Sequence, residues 1–223
     1  MKNVLVVAVH PDDETLGCGG TLFKHLAEGD QINWLIVTTI ENVEAFEQRD
    51  LGQYHETIDD VAKHYRFNQV LRLNFPTTQL DRVPDSDLVG AFHRVFDSLK
   101  PQIIYLPFSG DIHGDHRIAS GAALSATKTF RHPCIERILM METLSETEFA
   151  PPLTDRAFQP NVFVNISDYM NPKLEVMNFY LTELGEHPFP RSSDNIMALA
   201  TLRGATAGFN YAEAFMLVKE RLP

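Results

Sequence analysis

The chain has 223 residues, 44% apolar and 22% charged, enough for one globular domain with a large core or at most two small ones. Its 19 Lys and Arg against 30 Asp and Glu give a formal charge of -11, which opposes binding to nucleic acid backbones or anionic membranes. Two cysteines, Cys18 and Cys134, exclude a disulfide scaffold and a cysteine-rich metal motif, and indicate reduced thiols in a cytoplasmic protein.

Residues 4–9 (VLVVAV) form a continuous β-branched apolar run, the pattern of a strand buried on both faces of a parallel sheet. The run is far shorter than the roughly 20 residues of a spanning helix. Charge follows it too soon for a signal peptide, so neither an anchor nor a leader is expected. A polar turn and a glycine cluster come next, then a helix expected over 21–27 and a second strand over 32–38. The alternation continues with a helix at 47–65, a strand at 70–73, a helix at 86–99, a strand at 103–106, a helix at 117–129 and a strand at 137–142. Residues 151–160, rich in Pro, Asp and Thr, read as an exposed loop, followed by a last strand at 162–166. Helices are expected at about 173–184 and 194–203, with a turn at 187–190 between them. The small and aromatic residues of 204–215 (GATAGFNYAEAF) suggest a packed cover over the site. There are no repeats or low-complexity tracts. The expected architecture is a single α/β domain, a Rossmann-like parallel sheet with helices on both faces and right-handed crossovers.

Two polar clusters stand at carboxyl ends of expected strands, where open α/β sheets bind ligands. The first is His10-Pro11-Asp12-Asp13-Glu14, in which three adjacent carboxylates require a compensating cation or basic partner. The plain alternative is a solvated turn with an aspartate capping the next helix. The second is Asp111-Ile112-His113-Gly114-Asp115-His116-Arg117, after the strand at 103–106. His113 and His116, three apart, share one face if they enter a helix. His and Asp are ordinary zinc ligands, and catalytic zinc sites take three protein ligands with a fourth position for water. Either histidine alone would suit a cap or a core; two clusters converging on one crevice favour a site. A non-catalytic nucleotide- or sugar-binding module is the alternative of a different class, but the third glycine of G-x-G-x-x-G falls on Leu22, no Walker lysine follows Gly20, and the intact His and Asp sets of both clusters argue against a non-enzymatic scaffold or sugar-binding protein.

With these motifs the chain resembles the PIG-L/LmbE-like zinc-dependent de-N-acetylases. The signature A-H-P-D-D-E followed by a glycine-rich helix start stands as Val9-His10-Pro11-Asp12-Asp13-Glu14 and Gly17-Cys18-Gly19-Gly20-Thr21, and H-x-D-H as His113-Gly114-Asp115-His116. Similarity continues through 161–167 and 204–215, so it covers nearly the whole chain. The resemblance implies zinc held by His10, Asp13 and His116, with Asp12 as general base, while ligand type alone would also accept iron or other divalent ions. It implies His113, oriented by Asp115, as the cationic partner of the oxyanion and then the acid that protonates the leaving amine, and Glu14 as a ligand-orienting or helix-capping residue. Where many members carry R-x-x-E on the second helix, this chain has Gln53 before Glu56, leaving Arg49 as a substitute for substrate contact; Arg203 and Tyr211 are further pocket candidates. The implied activity is hydrolysis of the acetamide of an N-acetylated amino sugar or glycoside, with an amidase on a related amide as the alternative. The implied assembly is a homo-oligomer, with no nucleic acid partner and no membrane insertion.

Overall fold

The computed structural model describes residues 1–153 and 157–222. Its five leading strands, β1 (Asn3–Ala8), β2 (Gln31–Thr39), β3 (Gln69–Pro76), β4 (Ile103–Pro107) and β5 (Arg137–Met141), are parallel. Two more, β6 (Val162–Asn165) and β7 (Ala212–Glu220), complete a seven-stranded sheet in the order β3-β2-β1-β4-β5-β7-β6. β7 runs antiparallel to both β5 and β6. The helices are α1 (Asp13–Ala27), α2 (Leu51–Tyr65), α3 (Asp85–Leu99), α4 (Gly114–Ala126), α5 (Met170–Met177) and α6 (Ser193–Ala207).

The alternation of β1 explains why both faces are covered. Val4, Val6 and Ala8 point into one core with Trp34 and residues of α1, α2, α5 and α6, while Leu5, Val7 and Val9 point into the other with Leu35 and residues of α3 and α4. The chain leaves β1 for β2 on one side and returns to β4 on the other. The carboxyl ends of β1 and β4 therefore flank the topological switch point, the crevice where such sheets bind ligands. No helix among the described residues is long and apolar enough to cross a membrane.

Several sequence-based boundaries move. α1 begins at Asp13 and not at residue 21, so its first turn contains the acidic motif itself. It is kinked at Cys18 (φ -148°, ψ 22°), because the helix must lie close to the sheet. A β-carbon at Gly17 would stand 2.6 Å from Met141 Sδ, and one at Gly20 2.7 Å from Ile166 Cβ. The kink frees backbone groups that a buried ion pair satisfies. Lys173 Nζ donates to the Leu16 carbonyl at 2.8 Å, and Glu213 accepts from the N–H groups of Gly20 (2.9 Å) and Thr21 (2.7 Å), with 2.7 Å between Lys173 and Glu213.

The helix expected at 47–65 starts at Leu51 behind a 3-10 turn at Glu44–Phe46, where Asp50 caps it by accepting from the Gln53 N–H. The helix expected at 117–129 starts at Gly114 and ends at Ala126, and α5 ends at Met177 rather than 184. Residues 204–215, expected to cover the site, instead finish α6 and enter β7, with Phe215 fully buried in the core. The loop expected at 151–160 falls partly outside the described residues; its described part has neither helix nor strand.

Candidate active site

β1 ends at Ala8 and the chain turns through His10, Pro11 and Asp12 into α1. The Asp13 carboxylate is pinned by this turn: its Oδ2 accepts from the N–H groups of Val9 (2.8 Å) and His10 (2.9 Å). Burial alone would raise its pKa, but His116, His10 and the backbone bond outweigh burial and hold it well below the ordinary carboxylate range. Asp12, beside it, has φ 132° and ψ -28° and makes no side-chain cap to α1. Burial raises the Asp12 carboxyl well above its usual value, against the opposing charge of Arg191.

The second cluster enters from the carboxyl end of β4. His113 is the N-cap of α4, its Nδ1 accepting from the Asp115 N–H at 3.1 Å, and His116 follows within the first turn. His116 is fully buried; its Nδ1 faces Asp111 Oδ2 at 2.9 Å, and Thr147 Oγ1 donates to Asp111 Oδ1 at 2.7 Å. Burial opposes a charge on His116, but Asp13 and Asp111 outweigh it and push its pKa well up. The three imidazoles form a triangle, with centroid separations of 4.5 Å (His10 to His113), 5.4 Å (His10 to His116) and 5.3 Å (His113 to His116).

Ligand atoms of His10, Asp13 and His116 all lie within 4.8 Å of one another. His116 Nε2 is buried, 3.3 Å from Asp13 Oδ2, and has no hydrogen-bond partner among the described residues. With Asp111 on the other nitrogen, the ring is oriented to present that atom as a ligand, the carboxylate–histidine arrangement typical of metal sites. Two imidazoles and one carboxylate match three protein ligands of a tetrahedral ion. The residues fit.

Two expected roles change. The Asp115 carboxylate orients His10 rather than His113: its Oδ2 lies 3.4 Å from His10 Nε2 and accepts from the Thr78 N–H (2.6 Å), and its Oδ1 accepts from Leu80 (3.2 Å). His113 is instead held by a backbone N–H on Nδ1, which leaves the proton of the neutral ring on Nε2. Burial and the nearby imidazoles of His10 and His116 lower its pKa to about 4, a direction that disfavours the imidazolium implied by the resemblance.

These groups open into a cavity of about 260 Å³. Arg49 and Gln53 line it, as do Phe46, Tyr54, Phe179 and Leu181. Glu14 lies fully buried behind it, accepting from the Asp12 N–H (3.1 Å), Thr15 Oγ1 (2.6 Å) and Tyr180 Oη (2.7 Å). Arg203 and Tyr211 do not line it. Arg203 is bound to Glu142 at 2.6 and 2.9 Å beside a separate small cavity, and Tyr211 packs on the α1 side of the core while its carbonyl accepts from Ile166. Sequence reading missed Arg191, Glu146 and Glu183 in the wall, and left Asp111 without a role. Arg191 donates to Asp12 Oδ2 at 2.7 Å across 179 positions of sequence, a distance that no motif spacing signals.

The chain is 24% identical over 231 residues to a diacetylchitobiose deacetylase of Thermococcus kodakarensis, covering 98% of this chain and 84% of that protein. It is 26% identical over 230 residues to a 1D-myo-inositol 2-acetamido-2-deoxy-alpha-D-glucopyranoside deacetylase of Rhodococcus erythropolis, covering 89% and 74%. The fold matches the conserved protein TT1542 of Thermus thermophilus with a TM-score of 0.81 at 25% identity, over 100% of this chain and 97% of that one. Residues 5–127, which contain both motifs and all three candidate ligands, match the GlcNAc-PI de-N-acetylase description, and the chain belongs to that PIG-L family.

Proposed function

We propose that this chain is a metal-dependent N-deacetylase that hydrolyses the acetamide of an N-acetylated amino sugar or glycoside, releasing acetate and the free amine. The observation that carries the reading is the convergence of His10, Asp13 and His116, whose Nε2 has no hydrogen-bond partner among the described residues, beside the Asp12 carboxylate, which belongs to none of the converging donor groups. The deacetylase relatives, two of which act by name on N-acetylated sugars, support the substrate class. The cavity of about 260 Å³ is slightly below the roughly 300–1,000 Å³ of drug-sized sites, which suits a ligand group of about one sugar unit.

His10, Asp13 and His116 would hold the ion, for which the family resemblance indicates zinc. When bound, it supplies Lewis acidity, lowering the pKa of water and polarising an amide carbonyl. Asp12 takes the proton of the attacking water as general base. Burial raises its proton affinity, which suits the base, and the same carboxyl then passes that proton to the departing amine, which is the stronger base. His113 donates its Nε2–H to the oxyanion, a neutral donor held ready by its Nδ1 bond. Asp115 and Asp111 fix the rings of His10 and His116.

The test is product stoichiometry on N-acetylglucosamine, diacetylchitobiose and an N-acetylglucosaminide with an apolar aglycone. Acetate and free amine are expected in a one-to-one ratio from at least one of them. A sugar-linked amide that releases a different acid, with no acetate from any of the three, would replace the deacetylase reading with an amidase.

A further inference from the structure

The N-cap aspartate of a helix ordinarily turns its carboxylate onto the first-turn N–H groups. Asp12 is the N-cap of α1 and does not. Its Oδ2 is taken at 2.7 Å by Arg191 Nη1, and Oδ1 takes none of the hydrogen bonds among the described residues. Arg191 is itself held on every side. Its Nε donates to Ser145 Oγ (2.7 Å), Nη1 also to Glu183 Oε2 (3.2 Å), and Nη2 to Glu146 Oε1 (3.3 Å). Ser145 and Glu146 stand in the loop after β5, and Glu183 in the segment after α5. The guanidinium is therefore held in place by three groups other than Asp12. A planar fork with fixed donors sets direction as well as charge, and a guanidinium gives up no proton.

We infer that Arg191 is a positioning residue for the reaction proposed above: it draws the Asp12 carboxylate away from the start of α1 and turns Oδ1 toward the reacting groups. The claim rests on the deacetylase reading for its kinetics but not for its geometry. It also gives the residues after 127, outside the family match, a part in orienting a residue of the first motif.

The test pairs crystal structures with kinetics for the wild type, Arg191→Ala and Arg191→Lys. In Arg191→Ala the Asp12 carboxylate is expected to swing onto the first turn of α1 or to spread over several rotamers, and to return in crystals soaked with guanidinium. Turnover should fall about a hundredfold, the scale of a 1 Å misplacement, with KM within about threefold, and guanidinium should restore part of it. Arg191→Lys, which keeps the charge but loses the fork, should lose about tenfold and serves if the alanine variant does not fold. In an Asp12→Asn background, Arg191→Ala should cost nothing further. An unmoved Asp12 carboxylate in either variant overturns the inference, as does a rise in KM at constant kcat or a full additional loss in the Asp12→Asn background. If the wild type releases no acetate, the functional reading fails, and the crystal structures alone still decide the role of Arg191.

Discussion

Asp12 combines two unfavourable circumstances, a buried carboxylate and a backbone at φ 132°. Backbone strain of this kind costs about 1–3 kcal/mol and persists where function requires it. Glycine tolerates that conformation, and its own entropic cost is about 0.5–1 kcal/mol. Asp12→Gly is therefore expected to raise the thermal midpoint by about 2–4 °C, roughly 1 kcal/mol for a chain of this size. Turnover should fall at least about a hundredfold with metal content unchanged. A lower midpoint would mean that the ion pair with Arg191 outweighs the strain, and loss of metal would move Asp12 into the ligand set.

Glu14 carries a pH dependence of a definite sign. Burial raises its pKa from 4.5 to about 7 despite bonds from Thr15 and Tyr180, so the folded state prefers the protonated acid. Its stabilising contribution is complete below pH 4.5 and is lost as pH rises to about 7, on the order of 3 kcal/mol. In chelator-treated protein, the urea midpoint of the wild type relative to Glu14→Gln should fall between pH 4.5 and 7. Parallel pH curves for the two proteins would show that Glu14 is not the titrating group.

At the scale of elements, α1 is the most constrained part of the fold. Its glycines admit Met141 and Ile166, and its kink is closed by Lys173 from α5 and Glu213 from β7. Removing one partner of a buried pair leaves the other uncompensated and typically costs about 3–5 kcal/mol. Glu213→Ala should therefore lose that much stability in urea unfolding, and a loss under about 1 kcal/mol would show that the pair does not support the kink. The same elements mark what could be read from sequence. β1 and β2 were legible because continuous apolar runs have one plain meaning in a parallel sheet. The start of α1 was not, because His-Pro-Asp-Asp-Glu and a glycine cluster resemble a turn, and the close approach of these glycines to Met141 and Ile166 is set by distant parts of the chain. β7 was missed because a buried glutamate between two alanines breaks the apolar pattern of a strand.

For the whole molecule, the sheet order brings residues 10–13 and 111–116 to opposite sides of one switch point, and both clusters were visible because each is compact in sequence. Their internal wiring was less visible. That Asp115 serves His10 and that Arg191 reaches Asp12 are contacts across 105 and 179 positions, set by topology and by no local spacing. The hydrolysis proposed for this chain depends on a single metal centre. The most direct test is acetate release during zinc titration of chelator-treated wild type and His116→Ala, with bound metal measured at each point. Acetate release is expected to rise with zinc and saturate near one ion per chain, while His116→Ala neither binds the ion tightly nor releases acetate. Full zinc occupancy in His116→Ala, or acetate release from wild type that is independent of metal, would contradict the account.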